Sequence, residues 1–106
     1  MFARSVSFHL KPGRTTEFTQ TLEKDIIPML RKQKGFQDEI SFVAPNGTDA
    51  VGISLWDLKE NAETYARGSY ASVLKSMESV VEGTPVVHSY DVCNSTFHKI
   101  PARVGV

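Results

Sequence analysis

"SLWDLKENAETYARGSY", residues 54–70, joins two periodicities at a single tryptophan. On its N-terminal side, "AVGISLW" (50–56) alternates as a strand does, with Val51, Ile53 and Leu55 on one side and Ala50, Gly52, Ser54 and Trp56 on the other. On its C-terminal side the spacing becomes helical. Asp57 followed by Glu60 has the form of a capping box. Ala62, Tyr65 and Ala66 make one short apolar face, Gly68 and Ser69 interrupt it, and Tyr70, Val73, Leu74, Met77 and Val80 or Val81 make a second. A strand running into a broken helix is therefore the unit to extend in both directions.

Upstream, "PNG" (45–47) is a hairpin signal, because asparagine and glycine tolerate the positive φ that tight turns demand. Before it "FQDEISFVA" (36–44) reads as a strand in which Asp38 shares a face with Phe36, Ile40 and Phe42. Further back, Phe18, Leu22, Ile26 and Met29 or Leu30 form a helical stripe starting near Thr15 or Thr16, either of which offers a capping oxygen. Pro28 conflicts with that helix, since it removes a backbone hydrogen bond at a cost of about 3 kcal/mol. A kink or break before it is expected, with the last turn resuming at "MLRKQK" and stopping at Gly35. At the N-terminus "FARSVSFHL" (2–10) alternates, with Phe2, Arg4, Val6, Phe8 and Leu10 on one face and Ala3, Ser5, Ser7 and His9 on the other. Downstream, "EGTP" (82–85) is read as the helix end, and "VVHSYDVCNSTFHKI" (86–100) as a long fourth strand. Residues 101–106 are expected to form a loose tail.

The order strand, helix, strand, hairpin, strand, helix, strand defines an α+β, ferredoxin-like βαββαβ domain over residues 1–100. Right-handed crossovers put both helices on one face of a four-stranded antiparallel sheet. The other face carries enough apolar residues to need a cover, and a second copy of the chain supplies one. The totals agree. The chain has 106 residues, enough for one core, and 12 basic residues balance 12 acidic ones. No basic run follows a phosphate backbone, which argues against nucleic acid. No stretch is long and apolar enough to span a bilayer, and no leader is apparent, so a cytoplasmic protein without membrane contact is expected. Cys93 has no disulfide partner in the chain and reads as a small buried strand residue, and no metal-ligand spacing appears.

"KPGRTTEF", "IIPMLRKQKGFQDE", "GISLWDLKENAETYARGSY" and the valine-rich closing strand together resemble the antibiotic biosynthesis monooxygenase family of the dimeric α/β barrel superfamily. The most specific elements are Gly35–Phe36 after the first helix and Trp56–Asp57 at the strand–helix junction. The resemblance implies a homodimer and a pocket in each subunit between sheet and helices. Members include oxygenases of aromatic polyketides that need no metal or flavin, and haem-degrading proteins. The latter pair the tryptophan with a helix histidine and a strand-one asparagine. Here the helix after Trp56 has no histidine, and the first strand no asparagine, which disfavours haem degradation. Of the polyketide oxygenases' residues only the tryptophan carries over: the position of their strand asparagine reads Gly52 or Ser54, and the nearest tyrosines are Tyr65 and Tyr70.

His88 and Tyr90, on one face of the fourth strand, are the candidates for a catalytic base and donor. Trp56, Tyr65, Tyr70 and His9 are the candidates for lining a pocket that takes a small aromatic molecule. Two functions fit: a cofactor-independent monooxygenase of a quinol-type molecule, or a non-catalytic small-ligand or accessory dimer.

Overall fold

The computed structural model describes residues 1–101; the tail expected from position 101 falls, at 102–106, outside the described residues. Strand β1 (Phe2–Leu10) leads to helix α1 (Thr15–Thr21), a π-helical turn (Leu22–Ile26) and α2 (Ile27–Leu30). Strands β2 (Phe36–Val43) and β3 (Asp49–Trp56) follow, then helices α3 (Lys59–Arg67) and α4 (Tyr70–Met77) and strand β4 (Val81–Asp91). The sheet order is β2-β3-β1-β4 with every pairing antiparallel, which is the ferredoxin-like topology read from the sequence. No helix among the described residues is long and apolar enough to cross a membrane.

The helices pack on the sheet face carrying Phe2, Val6, Phe8, Leu10, Ala50 and Trp56, and bury Phe18, Ile26, Leu30, Tyr65, Val73 and Met77 against it. The conflict at Pro28 is absorbed upstream of the proline. The N–H of Ile27 bonds to the Leu22 carbonyl, five residues back, so the helix widens to a π turn and re-forms with Pro28 in its opening turn. Gly35 then takes φ +80°, and its carbonyl accepts the Asp57 N–H at 2.9 Å. A Cβ at this position would overlap the side chains of Asp57 and Asn61, so only glycine permits this close approach of the first helix's end to the β3–α3 junction.

Several local expectations are corrected. Neither threonine caps α1; instead Thr15 Oγ1 donates to the Gly47 carbonyl (3.2 Å) and ties the helix to the β2–β3 turn. Glu60 closes no capping box. Asp57 Oδ1 accepts the Leu58 N–H (2.6 Å) and the Asn61 amide (2.8 Å), and α3 starts at Lys59. The helix does break at Gly68–Ser69, as the spacing implies. Strand β4 begins at Val81, not after "EGTP". Gly83 (φ +69°) and Pro85 sit in an irregularity of this edge strand, where the register jumps from Ser7–Val86 to His9–Glu82. It ends at Asp91, which leaves Cys93 beyond the sheet and exposed.

A second irregularity changes which side chains face the helices. Phe36 pairs with Trp56, but Asp38 pairs with Leu55, so Gln37 is an extra residue in β2. Phe36 therefore turns inward onto Trp56, while Asp38, Ile40 and Phe42 turn outward and Glu39 and Ser41 face the helices. Across the outer face run Ile40–Ile53–Ser5–His88 and Phe42–Val51–Ser7–Val86. Ile40, Phe42, Val86 and Tyr90 are each about half exposed there, leaving a broad apolar surface.

Candidate functional site

Between the sheet and the helices lies a cavity of about 40 Å³, walled by Leu22, Ile26, Val73 and Met77 and floored by Gly52 and Ser54. Four ionisable side chains border it: Arg4, Glu39, Tyr65 and Tyr70. The sheet register sets their spacing. Glu39, Ser54, Arg4 and Ser89 form one row across the inner face, placed there by the extra residue at Gln37 and the alternation of β1.

Arg4 is 6% exposed, in a strand face whose other members are apolar. Its guanidinium carbon stands 4.1 Å from the centroid of the Tyr70 ring and 5.5 Å from that of Tyr65. Both tyrosines thus offer π faces to the cation, an attraction of up to about 2 kcal/mol in a desolvated setting. Burial pushes the Tyr65 hydroxyl up to about 12, against the opposing pull of Arg4, so this phenol stays protonated near neutrality. Burial also raises the Glu39 carboxyl above the usual range, with an opposing hydrogen bond from Ser41 Oγ.

Trp56 supports this arrangement from below. It is fully buried, donates its indole N–H to Ser54 Oγ (2.9 Å), meets Phe36 edge-on at 5.6 Å and stacks on Tyr65 at 4.9 Å. Its ring is not part of the cavity wall. Tyr65 and Tyr70, 6.1 Å apart, are, and the α3–α4 break sits between them.

The remaining sequence candidates lie elsewhere. His88 and Tyr90, with rings 6.4 Å apart, project from the outer face of β4, so the sheet separates them from the cavity. His9 sits at the far end of β1, 3.2 Å from Asp49 and 3.8 Å from Glu82, roughly 17 Å along the strand from Arg4. Sequence reasoning passed over Arg4 and Glu39. Arg4 was visible as the single charge in an apolar alternation. Glu39 was hidden, because strict alternation from Phe36 assigns it to the outside.

Arg4 also borders a second space, an open groove of about 360 Å³ between α3 and the β1–β4 edge. Phe2, Ala62 and Ala66 form its apolar walls, and Lys59, Glu63, Ser89, Tyr90 and Asp91 its polar ones. Arg4 stands between this groove and the inner cavity.

No family model matches the sequence. No curated protein matches it. Solved structures do share the fold. A monooxygenase of Streptomyces coelicolor, crystallised with the ligand nanaomycin D, aligns at TM-score 0.75 and 16% identity, over 95% of this chain and 92% of its own. A cofactor-independent oxygenase of Streptomyces nogalater aligns at 0.72 and 12% identity, over 90% and 95%. A Nitrosomonas europaea protein of unknown function aligns at 0.73 and 16% identity, over 96% and 95%. These likenesses bear out, at the level of the fold, the resemblance to the antibiotic biosynthesis monooxygenases; identities this low leave the chemistry to be argued from the residues.

Proposed function

We propose that this chain is a cofactor-independent oxygenase of a small, electron-rich aromatic molecule of the quinol or anthrone type, bound between sheet and helices. The observation that carries the reading is the buried Arg4 guanidinium beneath two tyrosine rings at an apolar cavity. A carbon acid flanked by aromatic rings becomes reactive toward dioxygen once it loses a proton, and a fixed cation in a dry site favours the resulting anion. Glu39, half-buried with a raised carboxyl, is placed to take that proton. The anion passes electrons to dioxygen, a carbon–oxygen bond forms, and the peroxide collapses to a ketone and water. The substrate methylene supplies all the electrons, so one dioxygen is consumed per ketone formed. Tyr65, held protonated, donates toward the peroxide oxygen.

A cavity that admits a benzene ring measures about 150 Å³, against about 40 Å³ here. Binding therefore requires α4 to swing about Gly68–Ser69 and carry Tyr70 away from Arg4. Oxygen consumption with dithranol, an anthrone, tests the proposal: uptake proportional to protein and equimolar with substrate is expected. Uptake no faster than in buffer, with the protein folded, contradicts it. The cavity's size and its lack of a histidine favour one other reading, a non-catalytic binder, which stabilisation by ligands without oxygen uptake would establish.

The outer sheet face fits a second copy of the chain. Its apolar rows are continuous, and only a partner of matching shape removes them from water. In that arrangement His88 and Tyr90 belong to the face that docks.

A further inference from the structure

We propose that the apolar end of the inner cavity is a binding site for molecular dioxygen, one row of side chains away from Arg4 and Glu39. The sheet register divides the cavity in two. Glu39, Ser54 and Arg4 stand in one row of the inner face, and Gly52 and Val6 stand in the next, about 7 Å further along the strands. Helix α4 runs the same way. It starts with Tyr70 over Arg4, and beyond its end the Val80 carbonyl accepts the Lys11 N–H, past the end of β1. Val73 and Met77 therefore face the second row, where Phe8 closes the space from β1. One end of the cavity is polar and holds the proposed proton acceptor; the other is built from hydrocarbon and one thioether.

The volume selects the ligand. At about 40 Å³ the space exceeds what one water needs and falls well short of the about 150 Å³ that admits benzene. Water is the wrong occupant for the apolar end, because a buried water makes about three hydrogen bonds and these side chains offer almost none. Among the described residues no fully buried side-chain nitrogen or oxygen lacks a hydrogen-bond partner, so no orphaned group calls for a water either. An apolar molecule little larger than water satisfies both limits, and dioxygen is the one that the proposed reaction consumes. Gly52 gives the space its depth. A Cβ there would meet Ser41 Oγ at 3.7 Å and Phe8 Cε2 at 3.8 Å, which are ordinary contacts, so packing does not require a glycine at this point of β3. A glycine inside a strand leaves a face unfilled, and here the unfilled face is the cavity floor. The inference rests on the oxygenase reading for its purpose and on the cavity for its existence.

The test compares methyl NMR spectra of the labelled full chain under equal pressures of dioxygen and dinitrogen. Dioxygen is paramagnetic and broadens the nuclei beside which it dwells. Several-fold stronger broadening is expected at the methyls of Val73 and Met77 than at those of Leu10 and Ala62, which are at least as deeply buried but lie outside the cavity wall. Gly52→Ala puts a methyl group into the space and is expected to abolish the excess. Should Gly52→Ala fail to fold, Val73→Ile adds the extra carbon from the opposite wall, with the same loss expected at Met77. Equal broadening at the cavity and control methyls, or an excess that survives the filling variant in a folded protein, overturns the proposal. Its failure is separable from that of the oxygenase: dithranol uptake without any excess broadening sinks the gas site alone, and excess broadening without uptake sinks the oxygenase alone.

Discussion

Trp56→Ala is expected to lower the free energy of unfolding by about 3–5 kcal/mol, the largest effect of any single truncation in the core. The residue is fully buried and holds three elements together. Its ring stacks on Tyr65 of α3, meets Phe36 of β2 edge-on and stands opposite Phe2 of β1. Alanine would leave a void the size of an indole and deprive Ser54 Oγ of its donor. Small domains have only about 5–15 kcal/mol to lose, so this one truncation removes a large fraction of the total stability. Guanidinium unfolding followed by circular dichroism reads the effect, since the substitution removes the only tryptophan. Trp56→Phe keeps the stack and should lose less than half as much. A loss below about 1 kcal/mol on truncation to alanine would mean that Trp56 is not part of the packed core.

The second large effect concerns the outer face. Phe42→Lys is expected to convert the proposed dimer to monomer. Phe42 is 51% exposed in the single chain, beside Val51 and Ile40. Fully burying such a side chain contributes about 1.5–3 kcal/mol; Phe42 is already half covered, so docking gains about half of that in each copy, counted twice across a two-fold interface. The sum, roughly 1.5–3 kcal/mol, weakens association by at least about tenfold, and facing lysines add repulsion. Sedimentation equilibrium reads the change directly. The unmodified chain should run at twice 11.8 kDa and the variant at 11.8 kDa, with unchanged secondary structure. An unmodified chain that stays monomeric and folded at high concentration contradicts the docking role of this face.

How much of this was legible in the sequence differs by feature. The element order was legible because most segments keep a recognisable period, and the breaks at Pro12–Gly13, Gly35, Gly47 and Gly68 carry their own chemistry. Pro28 announced a fault in the first helix but not its form, since a kink, a break and a π turn all remove the same hydrogen bond. Gly83 and Pro85 were misread because the pair that ends a helix is the same pair that an irregular edge strand tolerates. The extra residue at Gln37 showed only as an acid, Asp38, on an otherwise apolar face, and it decided the site: it turned Glu39 toward the helices and Phe36 onto Trp56. His88 and Tyr90 were adjacent as read, but β4 has a valine on each face, Val86 and Val87, so its pattern could not tell inside from outside. Arg4 shows the converse. Its placement followed from alternation, and its meaning emerged only when Tyr65 and Tyr70, about sixty residues away, closed over it.

The proposed pocket lies on the helix side of the sheet, against Arg4 and the two tyrosines. Amide chemical-shift mapping of the ¹⁵N-labelled protein during anaerobic titration with dithranol tests it most directly, because the two faces carry different residues. Shifts concentrated at Arg4, Ser54, Tyr65, Gly68 and Tyr70 are the predicted result. Shifts concentrated at Ile40, Phe42, Val86 and His88, with the helix-side amides unmoved, would contradict it.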